Sequence, residues 1–117
     1  WTRYYALNLH SVFYRGTVEF RMFNATLHAG RVVAYVNLCL AISAQAIAQR
    51  STVMQKTQSD NEKFTFRVWL VRMGLNGEEF KNTRDHLLAN LEGDRAWRYD
   101  KDSYEKKKTK KPKEMER

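Results

Sequence analysis

Residues 17–23 read Thr-Val-Glu-Phe-Arg-Met-Phe, and the alternation in this stretch decides how the chain around it must fold. Side chains along a strand point to opposite faces in turn, so Val18, Phe20 and Met22 share one face while Thr17, Glu19, Arg21 and Phe23 share the other. The first face needs an apolar partner. The second carries a carboxylate and a guanidinium about 7 Å apart at the usual strand rise, close enough to reach one bound group.

Working backwards, residues 4–10 (Y-Y-A-L-N-L-H) alternate in the same way, with Tyr5, Leu7 and Leu9 against Tyr4, Ala6, Asn8 and His10. Residues 11–16 connect the two runs and end in Arg15-Gly16, where glycine accepts a positive φ without steric cost. If the runs pair antiparallel, Leu7 and Leu9 join Val18, Phe20 and Met22. Asn8 and His10 then join Glu19 and Arg21 on one polar face.

Working forwards, Asn24 or Thr26 is expected to cap a helix running from Ala29 to about Arg50. That helix is apolar nearly all round, which predicts a core helix lying across the apolar face of the hairpin. Asn37, Ser43 and Gln45 interrupt the apolar run, so a membrane span is not expected. Residues 51–61 are polar and aperiodic, a linker. Asp60 is expected to cap a second helix from Glu62 to about Gly74, and Asn76 a third from Glu78 to Leu91, with Gly93 as its stop and Trp97 as an anchor beyond it.

The expected architecture is α+β: an antiparallel β-hairpin packed on a long apolar helix, then a two-helix hairpin and a disordered basic tail. The corresponding division is 1–50, a linker at 51–61, a helical extension at 62–99 and a Lys-rich tail at 100–117. With 117 residues the chain offers one domain at most. Its net charge of +8 is spread, with +3 in the last eighteen residues and +5 in the rest, which suits an anionic partner and solubility alike. Cys39 is the single cysteine and sits inside the apolar helix, so no internal disulfide forms and a reducing, cytoplasmic setting is expected. The chain starts at Trp1 without a leader-like segment, which reads as a fragment of a longer protein.

A strand carboxylate can hold a divalent cation, and a neighbouring guanidinium can pair with phosphate or acyl-phosphate oxygens. The same E-x-R pattern is also an ordinary structural pair on a wet sheet face. The residues R-Y-Y-A-L-N-L-H at 3–10 and G-T-V-E-F-R-M-F-N-A-T-L at 16–27, followed by an apolar helix, resemble the closing part of the amidoligase family, within the glutamine-synthetase-like carboxylate–amine ligases. Residues 66–98 are similar to the helical extension of its close members.

The resemblance implies ATP-dependent joining of a carboxylate to an amine, with Mg2+ and with peptide or amino-acid substrates. It assigns metal binding to Glu19, and phosphate or acyl-phosphate contact, hence cofactor binding, to Arg21. Arg3 and Asn8 match the arginine and asparagine that precede the motif. Such proteins occur in bacterial mobile-element and peptide-modification settings. The chain offers one strand glutamate where such a ligase needs several carboxylates, so these residues alone are expected to be inactive.

Three other readings compete. The two C-terminal helices have helix-turn-helix spacing, although Glu78, Glu79, Asp85 and Glu92 offset Lys81 and Arg84. The lysine tail could meet nucleic acid non-specifically, and exposed strand edges could pair two copies into a homodimer. His10, His28 and His86 do not form a metal-binding pattern.

Overall fold

The computed structural model describes residues 5–99 and Asp102. Strands β1 (Leu7–Asn8) and β2 (Glu19–Phe20) form an antiparallel pair, with the short helix α1 (Val12–Arg15) in the connection between them. Three helices follow: α2 (Ala29–Ala48), α3 (Glu62–Arg72) and α4 (Lys81–Leu88). The α+β composition is thus present. The tail at 100–117 lies outside the described residues except for Asp102, and Arg3 lies outside them as well.

The core forms among the helices. Leu38 and Ala41 of α2, Leu70 of α3, Leu75 of the following turn and Leu88 of α4 are buried together, with Phe23, Ile42, Phe66, Trp69, Phe80 and Leu91 packed around them. Burying a leucine of this kind stabilises by about 1.5–3 kcal/mol. The main packing partner of α2 is α4, and α4 also packs on α3. At the α2/α4 contact Asn37 donates to the Thr83 hydroxyl at 2.9 Å, inside a site where Thr83 is fully buried. Gly30 permits the close approach, since a Cβ there would sit 2.7 Å from His86 Nε2.

Helix α2 is therefore covered on one stripe, Ala34, Leu38 and Ala41, and not on most sides. The apolar face of the hairpin is likewise open, with Leu7, Leu9, Val18 and Met22 exposed. Phe23, just past β2, stacks on Tyr35 of α2 at 4.4 Å and ties the two parts together. By length and composition α2 could cross a membrane: it has 20 residues and a mean hydropathy of 1.5.

The helix starts also differ from expectation. His28 caps α2, its Nδ1 accepting from the Arg31 amide at 3.3 Å, while Thr26 accepts from the His28 amide. Asn61, not Asp60, caps α3: its Oδ1 accepts from the Phe64 amide and its Nδ2 donates to the Trp97 carbonyl. A carboxylate could make only the first of these bonds. Glu78 and Glu79 lie in a turn ahead of α4, because Gly77 at φ 79° breaks helical geometry there. Asn76 accepts from the Gly77 amide instead of capping α4.

Candidate functional site

The strand register pairs Leu7 with Phe20 and Asn8 with Glu19, and the Arg21 amide extends the ladder by donating to the Ala6 carbonyl at 2.7 Å. Directly opposed residues share a face, so the alternation of the two runs yields the polar face anticipated from sequence. Asn8 Nδ2 donates to Glu19 Oε2 at 2.8 Å, and Asn8 Oδ1 accepts from the His10 amide at 3.0 Å. Asn8 is buried, only 6% exposed, while Glu19 stays half open to solvent above it. Arg21 Nε lies 3.8 Å from Glu19 Oε1. The Asn8 amide therefore holds one carboxylate oxygen while the guanidinium faces the other.

The connection adds groups that strand periodicity could not reveal. Residues 12–15 make one helical turn, and Gly16 closes it in the left-handed region at φ 66°, its amide donating to the Val12 carbonyl. This turn brings the Tyr14 ring to 5.2 Å from the His10 ring. Asn8, His10, Ser11, Tyr14, Arg15 and Glu19 line a cavity of about 370 Å³. Arg21 is on the same face but is not among the lining residues, so Arg15 is the cation that borders the space. The only sequence signal for Ser11, Tyr14 and Arg15 was the glycine that ends the turn.

The cavity gathers one carboxylate, one guanidinium, an imidazole, a phenol and a hydroxyl. That set can hydrogen-bond and neutralise an anionic oxygen-rich group. As a metal site it is partial: among the described residues no group of three or more His, Cys, Asp or Glu side chains could hold an ion. Mg2+ is commonly held by one or two carboxylates together with phosphate oxygens and water. Glu19 fits one such ligand and does not complete the set.

Residues 2–43 match the family model described as "Putative amidoligase enzyme". The amidoligase match covers about a third of the chain and contains the whole cavity. It ends within α2, so α3 and α4 lie outside it. No curated protein and no solved structure matches the chain.

Away from the matched segment, a larger cavity of about 560 Å³ lies beside α3, lined by Phe66, Trp69, Leu87 and Leu91 with Glu62 and Arg72 among its polar residues. It shares no residue with the hairpin site. In the α3–α4 connection, Arg84 donates to the carbonyls of Leu75 and Gly77, both at 2.9 Å. This guanidinium braces the turn, as a structural residue does. Cys39 is half-buried, and burial pushes its thiol above the ordinary range, which suits packing more than nucleophilic chemistry.

Proposed function

We propose that this chain supplies one wall of the active site of an ATP-dependent carboxylate–amine ligase. The observation that carries the reading is convergence: the family match at 2–43 spans every residue lining the hairpin cavity, and Asn8 and Glu19 meet there through a 2.8 Å hydrogen bond.

In this reading Glu19 is one ligand of a Mg2+ ion, which when bound supplies charge neutralisation at the ATP phosphates. Asn8 acts on Glu19. Its Nδ2–H donates to Oε2 and fixes the carboxylate rotamer, so the carboxylate is aimed before any ligand arrives. Arg21, 3.8 Å from Glu19, screens that charge and is free on its other N–H edges to contact phosphate or acyl-phosphate oxygens. Arg15 adds a second guanidinium to the site as a lining residue of the cavity. Arg3 precedes this face in the sequence and, by the family resemblance, belongs to the same site.

The substrate carboxylate and amine are selected elsewhere, since the hairpin cavity is lined by Asn8, His10, Ser11, Tyr14, Arg15 and Glu19, with no aliphatic side chain among them. The further metal ligands and the other walls of the nucleotide cleft come from outside these 117 residues, and the chain alone is expected to turn over no ATP. Titration of the 15N-labelled chain with MgADP tests the reading. Amide shifts should concentrate at residues 8, 10, 15, 19 and 21 and vanish in Arg21→Met. Shifts centred on Trp69 and Phe66 would assign the ligand to the other cavity and defeat the proposal. ATP hydrolysis by the isolated chain, abolished by Glu19→Gln, would defeat its claim of dependence on other segments.

A further inference from the structure

Helix α2 has a second, uncovered stripe opposite its α4-facing side. Ala29, Val33, Val36, Leu40, Ser43 and Ile47 follow one another at spacings of four, three, four, three and four, the 3.5-residue repeat of a helix–helix seam. All six are exposed or nearly so: Val33 by 51%, Val36 by 52%, Leu40 by 64% and Ile47 by 88%. Val32 and Ala44 flank the seam with further apolar surface. The sole charged residue of α2, Arg31, lies off the stripe.

We propose that this seam is a dimer interface that takes a second copy of the chain, with the two α2 helices antiparallel about a two-fold axis near Leu38. The side-chain sizes specify that arrangement. In it Val36 faces Leu40, Val33 faces Ser43 and Ala29 faces Ile47, so each layer sets a smaller residue against a larger one. A parallel pair would instead oppose Ala29 to Ala29 and Ser43 to Ser43, leaving gaps, and would bring the two Arg31 side chains level.

The exposed area also fits. Side chains of these sizes offer roughly 500 Å² per copy, so the pair buries close to the ~1,000 Å² total at which specific interfaces begin. Lipid is a poorer occupant, because the other side of the same helix is hydrogen-bonded to Thr83 and carries α4 with Arg84 and Asp85. The seam is also distinct from the strand edges, which are two residues long and offer little to pair with. The dimer does not depend on the ligase reading.

Sedimentation of the chain over a concentration series tests the proposal, together with disulfide trapping in a Cys39→Ser background. The expected result is twice the monomer mass, with Leu40→Asp raising the dissociation constant at least tenfold while far-ultraviolet dichroism stays unchanged. A mixture of Ala29→Cys and Ile47→Cys chains should form mixed disulfides faster than either chain links to itself. A monomer at all concentrations would overturn the proposal. So would a dimer indifferent to Leu40→Asp, faster self-linking of Ile47→Cys, or Leu40-dependent flotation with phosphatidylcholine vesicles.

Discussion

Replacing Asn8 with aspartate changes one atom group and inverts the electrostatics of the site. The Nδ2–H that donates to Glu19 Oε2 at 2.8 Å becomes an oxygen facing an oxygen. Two unit charges about 3 Å apart repel by roughly 5 kcal/mol at an effective dielectric of 20 and by about 1.4 kcal/mol in bulk water. Glu19 is half exposed, which places the site between those limits. Protonating one carboxyl at pH 7 caps the cost at about 4 kcal/mol, given an ordinary aspartate value near 3.9. The expected penalty is therefore about 2–4 kcal/mol, against about 1 kcal/mol for Asn8→Ala, which loses the hydrogen bonds without adding charge.

The penalty falls on the hairpin alone, because the helical core does not rest on it. A two-stranded hairpin has little stability to spare. At neutral pH, exchange of the Arg21 amide, which donates to the Ala6 carbonyl, should accelerate at least thirtyfold in Asn8→Asp and only a few-fold in Asn8→Ala. The Leu70 amide should not respond. The introduced carboxyl has a folded-state value raised above its unfolded one, so the destabilisation is full at high pH and is relieved as pH falls through the folded value. Equal acceleration in the two variants, or loss of protection at Leu70, would refute the reasoning.

Three further outcomes follow from particular contacts. Gly93→Ala forces an L side chain to φ 105° and drives its Cβ into the Asn61 amide that caps α3, so strain and cap loss together should cost about 2–3 kcal/mol and lower the melting midpoint by on the order of 10 °C. Thr83→Val leaves the Asn37 amide without its acceptor at the α2/α4 contact and should cost about 1–3 kcal/mol in urea denaturation, whereas a loss near zero would show that the bond is dispensable. The Asp94 carboxyl is held below its usual range by the amides of Ala96 and Trp97, so the 94–97 turn is intact above the ordinary carboxylate value and is released only as pH falls through the lower folded one, visible as a Trp97 amide shift in an NMR titration.

The residues that sequence periodicity handled well are those whose neighbours lie along the same element. Asn8 and Glu19 were placed on one face because a register that gathers the apolar positions of both runs on one side leaves the polar ones together on the other. Residues 12–15 gave no such signal: one helical turn is too short to show a period, so Tyr14 and Arg15 emerged only from the structure. The caps failed for a related reason. Asp60 and Asn61 are both good capping residues, and the choice is made by the Trp97 carbonyl, 36 positions away, which requires a donor. For α2, composition correctly marked a long apolar helix but could not say which stripe is covered. That depends on α4, which covers one side and leaves Val36, Leu40 and Ile47 exposed.

A ligase site in the hairpin cavity requires Glu19 as a metal ligand. Addition of Mn2+ at a small fraction of the protein concentration, in the presence of ADP, should broaden the NMR amide signals of Asn8, His10 and Glu19 first, and Glu19→Gln should remove that broadening. Broadening that persists in Glu19→Gln, or that centres on Glu78 and Glu79 in the turn before α4, would contradict it.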